Sequence, residues 1–266
     1  MPAALATAKP AMPAIVISPA QRIGLSGGLR IAVRLLAMML WLLICVPLFY
    51  LAHALRRPNP WPRRFLAGIG WISGVRLTVV GEKPQGRAFL IANHVSWIDI
   101  PVLAAACGTA FIAQDGLAQT PLLRHLCAMN DTVFVARHDR TTVRSQVAAV
   151  RHALRDMGAL TIFPEGTTSD GTDLLPFKSS LLSALEPIPD PITIVPVLLD
   201  YGPESPAIAW IGVEHGLANF LRILARARPI PITLRFLPPL SGADAAGRKA
   251  IASSARTAIH AALSPA

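Results

Sequence analysis

The 266-residue chain is 53% apolar and only 15% charged, too apolar for an ordinary soluble domain and too polar for a protein of many membrane spans. It suits one α/β-sized body carrying a membrane-associated element. The formal charge of +10 fits anionic lipid headgroups or phosphorylated molecules, and without a recognition motif or a basic patch interleaved with aromatics nucleic acid is set aside.

Residues 1–30, rich in Ala, Pro and Gly and without a period, read as a flexible arm. Gly24-Leu25-Ser26-Gly27-Gly28 matches the hydrolase pattern Gly-x-Ser-x-Gly but lacks the strand-turn-helix context that would make Ser26 a nucleophile. Residues 31–74 read as a membrane-associated helix or two-helix hairpin. Leu35 to Leu51 is an apolar run, loosely extended by Ala52 to Leu55, with Pro47 placed to kink it. Crossing a bilayer takes about 20 apolar residues, so the run is borderline. Arg22, Arg30 and Arg34 precede it, and Arg56, Arg57, Arg63 and Arg64 follow it. Basic residues on both flanks give no inside–outside asymmetry. Two arrangements stay open: a single span, or a helix that enters one leaflet and returns through Trp61 to Gly74, with Trp61 and Trp71 as interfacial anchors. The flanking arginines read as partners of anionic headgroups, at about 1 kcal/mol each. Ala52-His53-Ala54 looks like a signal-peptide cleavage site, but the leader would be unusually long and Arg56-Arg57 follow at once.

From Val75 onward, strand-like and helix-like segments alternate. Strands are predicted at Val75 to Val80, Ala88 to Ala92, Thr109 to Ala113, Val133 to Val135, Leu160 to Phe163, Ile192 to Leu199, Ala207 to Val213 and Ile230 to Leu237. Helices are predicted at Ile98 to Ala106, Thr142 to Met157 and Ala243 to Leu263. This alternation implies an α/β domain over residues 75–266, with a mixed, largely parallel sheet flanked by helices. The cysteines, Cys45, Cys107 and Cys127, are odd in number and match no metal or disulfide spacing. They read as small buried hydrophobes in a reducing compartment.

Three strand ends carry polar clusters. In Asn93-His94-Val95-Ser96-Trp97-Ile98-Asp99, His94 sits on the turn leaving a strand, where sites of open α/β sheets lie. On one continuous helix, His94 and Asp99 would not share a face; with a turn between them, the first helical turn brings Asp99 back to the imidazole. A histidine so oriented is a general base for a hydroxyl proton. The competing reading makes Ser96 and Asp99 a helix cap and leaves His94 in a loop. In Phe163-Pro164-Glu165-Gly166-Thr167-Thr168, Gly166 allows close backbone approach and Glu165 can accept from a substrate hydroxyl; an ordinary turn is the alternative. In Phe134 to Arg140, Arg137 offers a planar fork for phosphate, or belongs to a solvated charge run. Lys178 adds a positive group, and Pro196 within an apolar strand points to an edge or a bulge. No nucleophilic serine or cysteine is evident, so direct attack by a substrate hydroxyl on an activated acyl group fits the set.

These residues resemble the bacterial 1-acyl-glycerol-3-phosphate acyltransferase family, also called PlsC-like or lysophosphatidic acid acyltransferases. His94-(four residues)-Asp99 resembles its first motif, Phe134 to Arg137 its second, Phe163 to Thr167 its third and Val195 to Val197 its fourth. The likeness covers roughly residues 75–200 and, loosely, the N-terminal helical segment. It implies a glycerolphosphate-acyltransferase-like fold and transfer of a fatty acyl chain from acyl-CoA or acyl carrier protein to the free hydroxyl of 1-acyl-glycerol-3-phosphate. It further implies His94 as base with Asp99 as its catalytic partner, Arg137 on phosphate, and Glu165, Gly166 and Thr167 on the acceptor. No metal or bound cofactor is expected, since the thioester supplies the activation. Anionic membrane lipids are the expected surroundings, at the inner membrane with the domain facing the cytoplasm. Many members carry a Lys followed by an acidic residue where this chain has Gln114-Asp115. Either Arg124, Arg140 or Lys178 then compensates, or the acceptor is another lysolipid such as lyso-ornithine lipid.

Overall fold

The computed structural model describes residues 23–114, 121–135, 158–185 and 192–263. Helix α1 (Leu25–Ala54) is 30 residues long, which at about 1.5 Å per residue exceeds the ~30 Å apolar thickness of a bilayer. It starts inside the segment expected to be an arm. Ser26 therefore lies in a first helical turn, where its Oγ accepts from Arg30 Nη2 at 3.4 Å, and the Gly-x-Ser-x-Gly match has no elbow. Pro47 lies within the helix without ending it. Only 11% of the most apolar stretch is buried, so Val33, Leu36, Leu40 and Leu43 point outward.

Helix α2 (Trp61–Ser73) folds back on α1. Trp41 Nε1 donates to the carbonyls of Arg64 and Phe65 at 3.3 and 3.2 Å. Gly68 permits that approach: a Cβ there would lie 2.1 Å from Trp41 Nε1. The N-terminal unit is thus a two-helix hairpin. Trp71 is 70% exposed, as an interfacial anchor would be, whereas Trp61 lies under the Arg64 guanidinium, 4.9 Å from its ring centre.

Several flanking arginines differ from expectation. Arg30 Nε donates to Ala225 O at 3.0 Å, and Arg34 Nη1 donates to Leu224 O and Arg226 O at 2.8 and 3.0 Å. Arg63 Nη2 donates to Ala105 O at 2.9 Å. A run of basic residues beside an apolar helix looks like headgroup chemistry in one dimension. In three dimensions Arg30, Arg34 and Arg63 satisfy carbonyls at the ends of other helices.

The sheet holds β1 (Val75–Val80), β2 (Ala88–Ala92), β3 (Ala110–Gln114), β4 (Val133–Val135), β5 (Ala159–Ile162), β6 (Thr193–Asp200) and β7 (Ile230–Phe236) in the order β1-β7-β6-β2-β5-β3-β4. All pairs are parallel except β6 with β7. β2 is buried throughout and alternates between two cores. Its Ala88, Leu90 and Ala92 face helix α3 (Asp99–Cys107) through Ile98, Val102 and Leu103, while Phe89 and Ile91 face Leu182, Ile251 and Ala255. Helix α4 (Pro121–Met129) follows β3. The last two helices are α5 (Gly216–Ala225) and α6 (Arg248–Leu263), the latter shorter than predicted because Gly242–Ala245 forms a separate 3-10 turn.

One strand reading needs correction. Ala207 to Val213 is no strand: Ser205–Ile208 is a single helical turn followed by a loop. Its backbone groups are satisfied elsewhere. Trp210 N donates to Val95 O at 2.9 Å, and Ala209 O accepts from Asn219 Nδ2 and Arg222 Nη2 of α5. Pro196 is not on an edge but lies beside a bulge: the pairs Val197–Phe236 and Ile194–Leu240 that flank it differ in register by one residue. β6 is interior, and Pro196 sits where β7 pairing stops, beside the last pair Val197–Phe236. The missing N–H thus falls where β7 makes no demand, and its carbonyl still accepts from Leu237 N at 3.0 Å. Cys45 and Cys107 are buried as expected, and burial pushes the Cys107 thiol to about 11. The predicted helix at Thr142 to Met157 lies outside the described residues.

Candidate active site

The site lies at the carboxyl ends of the central parallel strands. The chain leaving β2 goes toward β3 on one side, and the chain leaving β5 returns across β2 to β6 on the other. This reversal opens a crevice where ligands of such sheets bind. Asn93 locks the strand end: its Nδ2 donates to Leu199 O at 3.0 Å, and its Oδ1 accepts from Leu199 N at 2.7 Å. Residues 93–98 then turn into α3, whose first residue is Asp99. Pro101 is tolerated there because the first helical turn needs no intrahelical N–H bond.

The turn carries the expected pair. His94 Nδ1 lies 2.7 Å from Asp99 Oδ2, which also accepts from Val95 N at 2.7 Å and Ser96 N at 2.9 Å. The cap and the pair are therefore one structure: a single carboxylate oxygen ties the turn and orients the ring. Asp99 is fully buried, whereas the His94 side chain is 20% exposed. With Nδ1 held by Asp99, Nε2 is the ring atom left to meet a ligand, and no described residue bonds it. The imidazole lies on Phe163, centroids 4.1 Å apart and planes 17° from parallel, which fixes its remaining rotation.

Glu165 departs from expectation. It is 1% exposed. Its Oε1 accepts from His94 N at 2.8 Å and its Oε2 from Leu175 N at 3.0 Å. The carboxylate is turned inward and holds the His94 backbone. Burial, the largest effect, pushes its carboxyl up to about 7 against the two backbone N–H bonds, which favour the charged form. Gly166 adopts φ +70° in the turn after Phe163, a conformation that favours glycine. Thr167 is exposed beside it. Ser169 N donates to His94 O at 2.7 Å, and Thr168 Oγ1 donates to Trp210 O. The third motif thereby braces the first from behind.

Tyr201, just past β6, was missed in the sequence. Its hydroxyl donates to Asp99 Oδ1 at 2.5 Å, and the residue is 2% exposed. The available signal was its place at the end of the Pro196 strand. Arg137 and Arg140 lie outside the described residues. Arg124 and Lys178 are exposed, and Lys178 N donates to Pro164 O at 2.9 Å.

A family model described as Acyltransferase matches residues 76–200. The lyso-ornithine lipid O-acyltransferase of Rhodobacter capsulatus is 30% identical over 251 residues, 89% of this chain and 91% of that one. The chain belongs to the PlsC-like lysophospholipid acyltransferase family. The 1-acyl-sn-glycerol-3-phosphate acyltransferase of Limnanthes douglasii is 31% identical over 178 residues, 65% of this chain and 58% of that one. The fold of this acyltransferase is shared with the 1-acyl-sn-glycerophosphate acyltransferase PlsC of Thermotoga maritima, at 19% identity and a TM-score of 0.58, covering 88% of this chain and 96% of that one.

Proposed function

We propose that this acyltransferase moves a fatty acyl chain from acyl-CoA or acyl carrier protein to the free hydroxyl of lyso-ornithine lipid. The chemistry rests on one observation: a partly exposed imidazole held by a buried carboxylate at 2.7 Å, with its other nitrogen bonded by no described residue. His94 Nε2 takes the proton of the acceptor hydroxyl as that oxygen attacks the thioester carbonyl. The carbon–oxygen bond forms, the carbon–sulfur bond breaks, and the imidazolium returns its proton to the leaving thiolate. Asp99 keeps Nδ1 protonated and stabilises the imidazolium between the two transfers. Such base catalysis contributes about 10²–10⁴-fold. The thioester is already activated, so the scheme calls for no metal and no bound cofactor.

The acceptor is argued from similarity. Relatives named lyso-ornithine lipid O-acyltransferase align over 89% of the chain, including its N-terminal helices. Gln114, ending β3, stands where many phosphate-handling members carry a Lys, and an ornithine headgroup has no phosphate. The guanidinium of Arg137 suits the ornithine carboxylate as well as a phosphate, and Gly166 and Thr167 are assigned to the acceptor by the family resemblance. The second reading is 1-acyl-glycerol-3-phosphate, to give phosphatidic acid, favoured by the relatives that bear that name. Either acceptor is membrane-held, in keeping with the outward apolar face of α1. We place the enzyme at the inner membrane with its site toward the cytoplasm, where both donors occur, among anionic lipids.

An acceptor panel tests this. Purified protein in lipid vesicles receives labelled acyl-CoA or acyl carrier protein and either lyso-ornithine lipid, lysophosphatidic acid or other lysolipids. At least a tenfold higher kcat/KM for lyso-ornithine lipid is expected. The reverse preference moves the acceptor to the second reading, and transfer to no lysolipid overturns the proposal.

A further inference from the structure

We infer that Tyr201 is a positioning residue of the reaction, acting through Asp99 on His94; this rests on the acyl-transfer reading above. The two oxygens of Asp99 are divided between two tasks. Oδ2 accepts from His94 Nδ1, Val95 N and Ser96 N, and all three donors belong to the turn that it shapes. Oδ1 accepts from Tyr201 OH at 2.5 Å, a donor delivered by a different strand. Without Tyr201, a fully buried carboxylate would keep one oxygen unpaired, and its plane would be fixed by one oxygen only. The tyrosine is itself held, since β6 is fastened to the end of β2 by the two Asn93–Leu199 bonds. Burial first, and the Asp99 charge second, hold its phenol far above the ordinary tyrosine range. It therefore stays a donor throughout turnover.

A hydrogen bond to an ionised oxygen draws negative charge away from the oxygen that faces the imidazole. Tyr201 thus orients Asp99 and limits how strongly Asp99 stabilises the imidazolium. Tyr201→Phe removes the donor at nearly constant volume. Carboxylate charge then concentrates toward His94, the imidazolium becomes harder to deprotonate, and orientation loosens. The other titratable groups around the pair among the described residues are Glu165, on the His94 backbone, and Tyr201 itself.

The test measures kcat, KM and the pH profile of kcat/KM in vesicles for the wild type, Tyr201→Phe, His94→Ala, Asp99→Asn and the double variant that combines Asp99→Asn with Tyr201→Phe. For Tyr201→Phe, a fall in kcat of about tenfold is expected, with KM for both substrates unchanged and the acidic limb of the profile moved to higher pH. In the Asp99→Asn background, the same change should cost less than twofold, because the ionised acceptor is gone. An unmoved acidic limb, or an equal loss in both backgrounds, overturns the inference while leaving acyl transfer by His94 standing. Should Tyr201→Phe fail to fold, 3,5-difluorotyrosine at position 201 keeps the volume and strengthens the donor; the limb should then move to lower pH, and an unmoved limb overturns the inference. Retained activity in His94→Ala would instead defeat the underlying reading.

Discussion

At the residue scale, the position of His94 is set by three groups from two segments, the start of α3 and the loop after β5. Asp99 holds its ring, Glu165 its N–H, and Ser169 its carbonyl. Glu165 carries a testable cost. Its folded carboxyl titrates at about 7 against an ordinary value of 4.5. Between those values the folded state holds a proton that the unfolded chain has released, so stability falls as pH rises through that window. The full change is about 3 kcal/mol. Thermal or urea unfolding in detergent at pH 4.5 and 7.5 should show the loss in the wild type. Glu165→Gln should be less stable overall, since its amide N–H₂ would face a backbone N–H, yet have a shallower pH slope. An equal slope in the two proteins would rule Glu165 out as the cause. The sequence made His94 and Asp99 legible because their spacing and the strand before them confine the geometry. It could not say which way the Glu165 carboxylate points. Nor could it find Tyr201, whose partner lies 102 residues away.

At the element scale, strands were the most legible, because an apolar run after a turn leaves few alternatives. The stretch Ala207 to Val213 misled for the same reason: it is apolar, but its carbonyls are taken by Asn219 and Arg222 of α5. The contact of Trp41 with Gly68 folds α2 back on α1, while α1 by itself keeps the length and apolarity to cross a bilayer. The arginines of α1 give the clearest contest between one-dimensional and three-dimensional readings. Arg34 closes the carbonyl end of α5, where a cation also meets the negative end of the helix dipole. Arg34→Met should lower stability by about 1–3 kcal/mol and leave binding to anionic vesicles unchanged. Weaker vesicle binding at unchanged stability would restore the headgroup role.

For the whole molecule, the hairpin and the sheet form one body that, in the proposed function, brings His94 to a lysolipid hydroxyl. α1 is anchored to α5 by Arg30 and Arg34, and α5 is tied through Ala209 to the loop that bonds Val95 beside His94. The exposed apolar face of α1 is left for the bilayer. Replacing Leu36, Leu40 and Leu43 together by Gln should release the protein from floated vesicles, while activity on detergent-dispersed lysolipid stays within about threefold. Continued flotation would show that another surface carries membrane binding. The central claim is acyl transfer to a lysolipid with His94 as base. Its most direct measurement is a single-turnover assay of labelled acyl thioester and lysolipid in vesicles, comparing the wild type with folded His94→Ala. Labelled diacylated product is expected from the wild type and a rate at least about 10²-fold lower from the variant; comparable rates from the two would contradict His94 as the base.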